Sequence, residues 1–146
     1  MASFVLLSFV FLQQNIAYAD LVPKPRTYRP TDMFGNGYKE SLQKDGTWKV
    51  SAITRGHDGR GFSQEMALLR AAELVLASGK THIQVLDFTG QVGTGTMVYG
   101  KEIVRIVVRA SDEAGPPTDC KPRNKDFCVT LNAADIVSKI RPTVHP

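Results

Sequence analysis

Residues 62–79, FSQEMALLRAAELVLASG, impose the strongest constraint on how this chain folds, because they read as one long amphipathic helix. At about 100° per residue, Phe62, Leu68, Leu69, Ala72, Val75 and Leu76 fall on one broad arc with Met66 beside them. Ser63 is placed to cap the first turn, and Glu65 stands near the positive end of the helix dipole. Gly79 follows the last apolar residue, where a left-handed residue closes a helix without a Cβ clash. Each large side chain on the arc gains roughly 1.5 to 3 kcal/mol on burial, so the helix requires a partner layer. Glu73 sits at the edge of the arc, three residues after Arg70, a spacing that pairs the two on one helix surface. A structural ion pair is the favoured reading of Arg70 and Glu73, ahead of a catalytic acid at Glu73.

Strands surround the helix. Residues 38–43 and 47–55 alternate polar and apolar side chains about Lys44, Asp45 and Gly46, a turn containing the Asp-Gly pair favoured in hairpins. Trp48, Val50 and Ala52 take one face of the second strand, and Lys49, Ser51 and Ile53 the other. Residues 81–88 form a third strand, with Ile83 and Val85 on one side and a change of phase at Leu86 and Phe88 that predicts a bulge near Asp87. Residues 101–110 form the fourth. There Val104, Ile106 and Val108 make an apolar side, while Lys101, Arg105 and Arg109 share the opposite side with Ile103 and Val107. A short strand at 127–131 and a second helix at 132–140, capped by Asn132 and stopped by Pro142, close the chain. The order β-β-α-β-β-(β)-α implies the α+β class, a small antiparallel sheet of four to five strands packed against one long helix and a short C-terminal helix.

Residues 1–19 read as a cleaved signal peptide. Phe4 to Leu12 is an apolar run broken by Ser8 alone, too short to span a bilayer as a mature helix, and Ala17-Tyr18-Ala19 makes a small-x-small cleavage site. Residues 20–37, with Pro23, Pro25 and Pro30, form an extended lead-in, and 38–146 a single domain. No later stretch reads as a transmembrane helix. In an exported chain the only two cysteines, Cys120 and Cys128, point first to a disulfide, ahead of a redox pair or metal ligands. The net charge of +4 comes from basic residues scattered among acids, so nucleic acid is a poor partner for this chain, and an anionic envelope component is a better one.

The words Gly37-Tyr38, Arg55-Gly56 and above all Leu68-Leu69-Arg70-Ala71-Ala72-Glu73-Leu74 followed by Gly79 carry a family likeness. In them the chain resembles a family of small uncharacterised bacterial envelope proteins, periplasmic proteins and lipoproteins, over roughly residues 37–88. The resemblance implies a periplasmic protein and carries over no catalytic residues. This chain lacks the lipid-anchor Cys of the lipoprotein members.

No catalytic, cofactor-binding or metal-ligating set is assembled in the sequence. The leading functional expectation is therefore a non-catalytic interaction module of the envelope, meeting a protein or an anionic component through a surface that includes Lys101, Arg105 and Arg109. The alternative is a periplasmic enzyme of hydrolase type with a site near His57, Asp58 or Glu73. His57 beside Asp58 suggests an oriented imidazole, yet Gly56, Gly59 and Gly61 around them more simply make a polar turn. Residues 90–100, rich in glycine, are read as a connection between strands rather than a phosphate cradle, since a strand and not a helix follows.

Overall fold

The computed structural model describes residues 26–55, 58–59, 61–90, 101–120 and 126–146. The predicted export segment, His57 and the glycine-rich connection at 91–100 lie outside the described residues.

Alternation of apolar and polar residues produces the expected antiparallel sheet. Its strands are β2 (Gly37–Leu42), β3 (Trp48–Arg55), β4 (His82–Gly90), β5 (Lys101–Ser111) and β6 (Val129–Asn132), and they lie side by side in the order β2-β3-β5-β4-β6. The central strand is thus β5, paired along its length with β3 on one side and β4 on the other. Between Val85 and Asp87 the register of β4 slips by one residue, which is the bulge predicted there. The slip turns Phe88 to the same side as Ile106, its cross-strand neighbour, and Phe88 stacks on Phe127 at 4.5 Å between ring centres.

Helix α1 (Phe62–Ala77) covers one face of the sheet. Leu69, Ala71, Ala72 and Val75 meet a sheet layer made by Val50, Ala52, Val104, Ile106 and Val108 in a single buried core. The buried arc is wider than the large residues alone suggested. Ala67 and Ala71 are fully buried, whereas Leu76 is exposed and Leu68 only half-buried. Close approach of backbones favours the small residues.

The start of α1 also departs from expectation. Gly61, at φ 80°, occupies the cap position, and Ser63 lies inside the first turn. Glu102 of β5 supplies the acceptor instead: its carboxylate takes the Gly61 N–H at 3.1 and 3.2 Å and the Ser63 hydroxyl. A buried Glu side chain from the neighbouring strand thus satisfies the helix terminus that a local side chain was expected to satisfy. At the other end, Gly79 adopts φ 79° and the Lys80 N–H reaches back to the Val75 carbonyl, closing the helix as predicted.

Two short strands absent from the sequence reading, β1 (Arg26–Thr27) and β7 (Val144–His145), pair in parallel and join the two ends of the described chain. Helix α2 (Ala133–Ile140) is capped by Asn132, whose side chain accepts from the Asp135 N–H. It rests chiefly on α1 and β6 rather than across the sheet. Tyr28 is buried and stacks on Tyr38 at 4.6 Å, so the lead-in from Arg26 onward is packed on the domain. Among the described residues no helix is long and apolar enough to cross a membrane.

Candidate functional site on the open sheet face

Among the described residues no helix covers the other sheet face, and the strand registers define what that face displays. One row runs Lys39, Ser51, Arg105, Thr89 across four strands; the next runs Ser41, Lys49, Val107, Asp87. The side assigned to Lys101, Arg105 and Arg109 from alternation is therefore correct. The three cations nevertheless have different surroundings.

Arg109 is committed. Its guanidinium makes a two-pronged contact with Asp119 at 2.7 and 2.8 Å, and its Nε donates to Gln84 at 2.9 Å. That charge-assisted pair holds the Asp119 carboxyl below the usual carboxylate range. Lys101 is engaged at the opposite end of the face, donating to the Phe34 carbonyl at 2.6 Å. Arg105 is exposed, between Ser51 and Thr89, and forms no ion pair among the described residues. A continuous basic stripe is thus replaced by one available arginine with Lys49 diagonal to it.

These groups floor a groove of about 700 Å³. Lys49, Arg105, Val107 and Arg109 form its base, with Asp87 alongside, and Asp45 and Asp119 stand at its margins. Asp45 is fixed by the β2–β3 turn, where it accepts from the Thr47 hydroxyl at 2.7 Å and the Thr47 N–H at 3.0 Å. Those two bonds, the hydroxyl first, lower its pKa. Asp119 is fixed from outside the sheet. The next residue, Cys120, is bonded to Cys128, with the Cα atoms 5.9 Å apart, and Cys128 leads directly into β6. The disulfide therefore anchors the 112–120 loop to the sheet and keeps Asp119 over Arg109. Its cysteines were identified from the sequence; their part in shaping the groove was not, because only the folded loop brings Asp119 to Arg109.

Arg70 and Glu73 form the predicted pair at 3.2 Å, within a larger cluster between α1, β2 and the lead-in. Arg70 also meets Glu40 of β2 at 2.6 Å, while Tyr28 and Arg141 both donate to Glu73. Burial, followed by the neighbouring Tyr38, pushes the Tyr28 hydroxyl well above its usual range, which keeps it a neutral donor. The cluster ties the lead-in, β2, α1 and the chain end together.

Asp58 and Glu73 are not brought together. Asp58 accepts from the Arg55 N–H at 2.9 Å beside the start of α1, and Glu73 lies about 16 Å further along that helix at 1.5 Å per residue. Among the described residues no group of three or more His, Cys, Asp or Glu is placed to hold a metal ion. No protein-family model, curated protein or solved structure matches the chain.

Proposed function

We propose that this chain is a non-catalytic binding module of the bacterial cell envelope, delivered to the periplasm by residues 1–19, and that the open sheet face is its contact surface. The observation that carries this reading is the groove of about 700 Å³ in which Arg105 and Lys49 are exposed. A concave site with a few fixed polar groups, on a rigid sheet, suits recognition. The mixed charge of its margins favours a partner that presents a carboxylate or phosphate toward Arg105 and hydrogen-bond donors toward Asp45 and Asp119. The resemblance to small envelope proteins agrees with export, and so does a disulfide, which persists in oxidising compartments.

In-cell crosslinking of the protein in its native envelope, followed by mass spectrometry, tests the reading. The comparison variant is Lys49→Glu/Arg105→Glu, which leaves the Arg109–Asp119 contact in place. A discrete partner that disappears in the variant supports the groove as the contact surface. A partner captured equally by both forms moves the contact elsewhere on the module. Cleavage after Ala19 in the same spectra supports export, and an uncleaved chain refutes it.

A further inference from the structure

The end of the sheet where β3 finishes and β5 begins carries a feature that the groove does not use. Residues 31–36 form a tight turn built on Asp32, whose Oδ1 accepts from the Phe34 N–H at 2.9 Å and the Asn36 N–H at 3.0 Å. The Asp32 N–H bonds the Asn36 carbonyl at 2.8 Å, and Lys101 holds the Phe34 carbonyl from the open face. Gly37 secures the base: a Cβ there would stand 2.6 Å from the Pro30 carbonyl oxygen, so the two segments lie backbone to backbone. This well-bonded turn spends none of its apolar side chains on the core. Met33 is 89% exposed and Phe34 67%.

The surroundings of this tip are basic. Arg55 and Lys101 are directly opposite each other on β3 and β5, and the next row is Ile53 beside Ile103. Lys39 shares that open face on β2, and Arg29 reaches Asp32 at 2.6 Å. Among the described residues the carboxylates near by are Asp32, whose Oδ1 takes the turn's own N–H groups and whose Oδ2 takes Arg29, and Asp58, bonded to the Arg55 N–H. Of the four cations on this side of the tip, Arg29 is paired with Asp32 and Lys101 holds the Phe34 carbonyl, while Lys39 and Arg55 form no ion pair among the described residues.

We propose that the Met33–Phe34 tip is a membrane-interface anchor that inserts into the boundary of a bilayer carrying anionic head groups, with Arg55, Lys101 and Lys39 on the phosphate side. The argument rests on form and on charge. Apolar side chains that protrude gain free energy in a medium that closes around them, and the acyl–headgroup boundary does so at a depth of about 5–10 Å. The surrounding cations meet the negative charge that such a surface holds just above that depth. The tip is separate from the groove, so either surface can fail without the other.

Because the apolar Phe4–Leu12 run can hold the full chain on a vesicle by itself, the experiment reads position. A photoreactive benzophenone side chain replaces Phe34 in one full-length protein and Leu42, the 60% exposed residue at the far end of β2, in another. Each is irradiated with phosphatidylglycerol-containing vesicles and with phosphatidylcholine vesicles. The expected result is lipid adducts from position 34 with the anionic vesicles, at least about tenfold above position 42, given the buried apolar surface at the tip alone. A Met33→Ser version of the position-34 protein should lower that yield several-fold. Equal labelling from both positions, equal labelling by both lipids, or no adduct from position 34 overturns the proposal. So does a protein adduct in place of lipid when native membranes are used, which would assign the tip to a protein partner.

Discussion

The two faces of the five-stranded sheet are made by the same strands, residue by alternate residue, and they answer to different demands. On the covered face Val50, Ala52, Val104, Ile106 and Val108 are closed off by α1, and even the polar Thr54 and Glu102 are buried there. On the open face the same strands present Lys49, Arg105 and Arg109 to a groove. Packing density leaves the covered face little freedom, because each change in volume or polarity is felt by every neighbour. Across the open face, side chains are constrained only where another segment reaches them, as Asp119 reaches Arg109. The side chains of one face can therefore vary while the fold is held by the other.

The sharpest way to break the contrast is to place a charge on the covered side. Leu69→Asp buries a carboxylate without a partner and should abolish cooperative unfolding, while Leu69→Ala should cost about 2 to 5 kcal/mol in a denaturant titration. Removing the disulfide by Cys120→Ala/Cys128→Ala should cost roughly 2 to 3 kcal/mol by the loop-entropy estimate. It should also release Asp119 from Arg109, which NMR of the Asp119 side chain would report as a rise of its pKa toward the usual carboxylate value. If that pKa is unmoved, the disulfide does not shape the groove.

Glu102→Ala should cost about 1 to 3 kcal/mol, since it leaves the Gly61 N–H and the Ser63 hydroxyl buried without their acceptor. Hydrogen exchange should then quicken selectively in the first turn of α1. Arg105→Ala, by contrast, should change stability by no more than about 0.5 kcal/mol, as an exposed substitution does. A larger loss would mean that the open face also carries the fold.

The smallest expected effect comes from acid. The folded-state pKa of Asp119 is lowered chiefly by its bond to Arg109 and that of Asp45 by Thr47, so each contributes stability that is fully present above the unfolded carboxylate pKa of about 4. That contribution is lost as the pH falls through the depressed folded values. Urea midpoints measured downward from pH 5 should show the loss, and Arg109→Gln should reduce the part that belongs to Asp119.

Much of the covered face was legible in the sequence because period-two alternation from Trp48 to Ile53 and from Lys101 to Arg109 is a local property of each strand. The bulge at Val85–Asp87 was legible for the same reason, as a break in that alternation. The cap of α1 was not. Ser63 has the chemistry of a capping residue, but the helix begins one residue earlier, and the acceptor comes from Glu102, far away in the chain. The open face was half legible: alternation placed Arg105 and Arg109 correctly, yet nothing local distinguishes an arginine held by Asp119 from one left exposed.

By itself the sequence determined the two helices, the strands of the five-stranded sheet and the cysteine pair, because side-chain periodicity and turn chemistry act within a few residues. Only the tertiary structure decided that β5 lies at the centre, that β1 and β7 join the two ends, and which charges are paired. Those choices depend on contacts between segments distant in the chain, whose energies exist only once the backbone has brought them together.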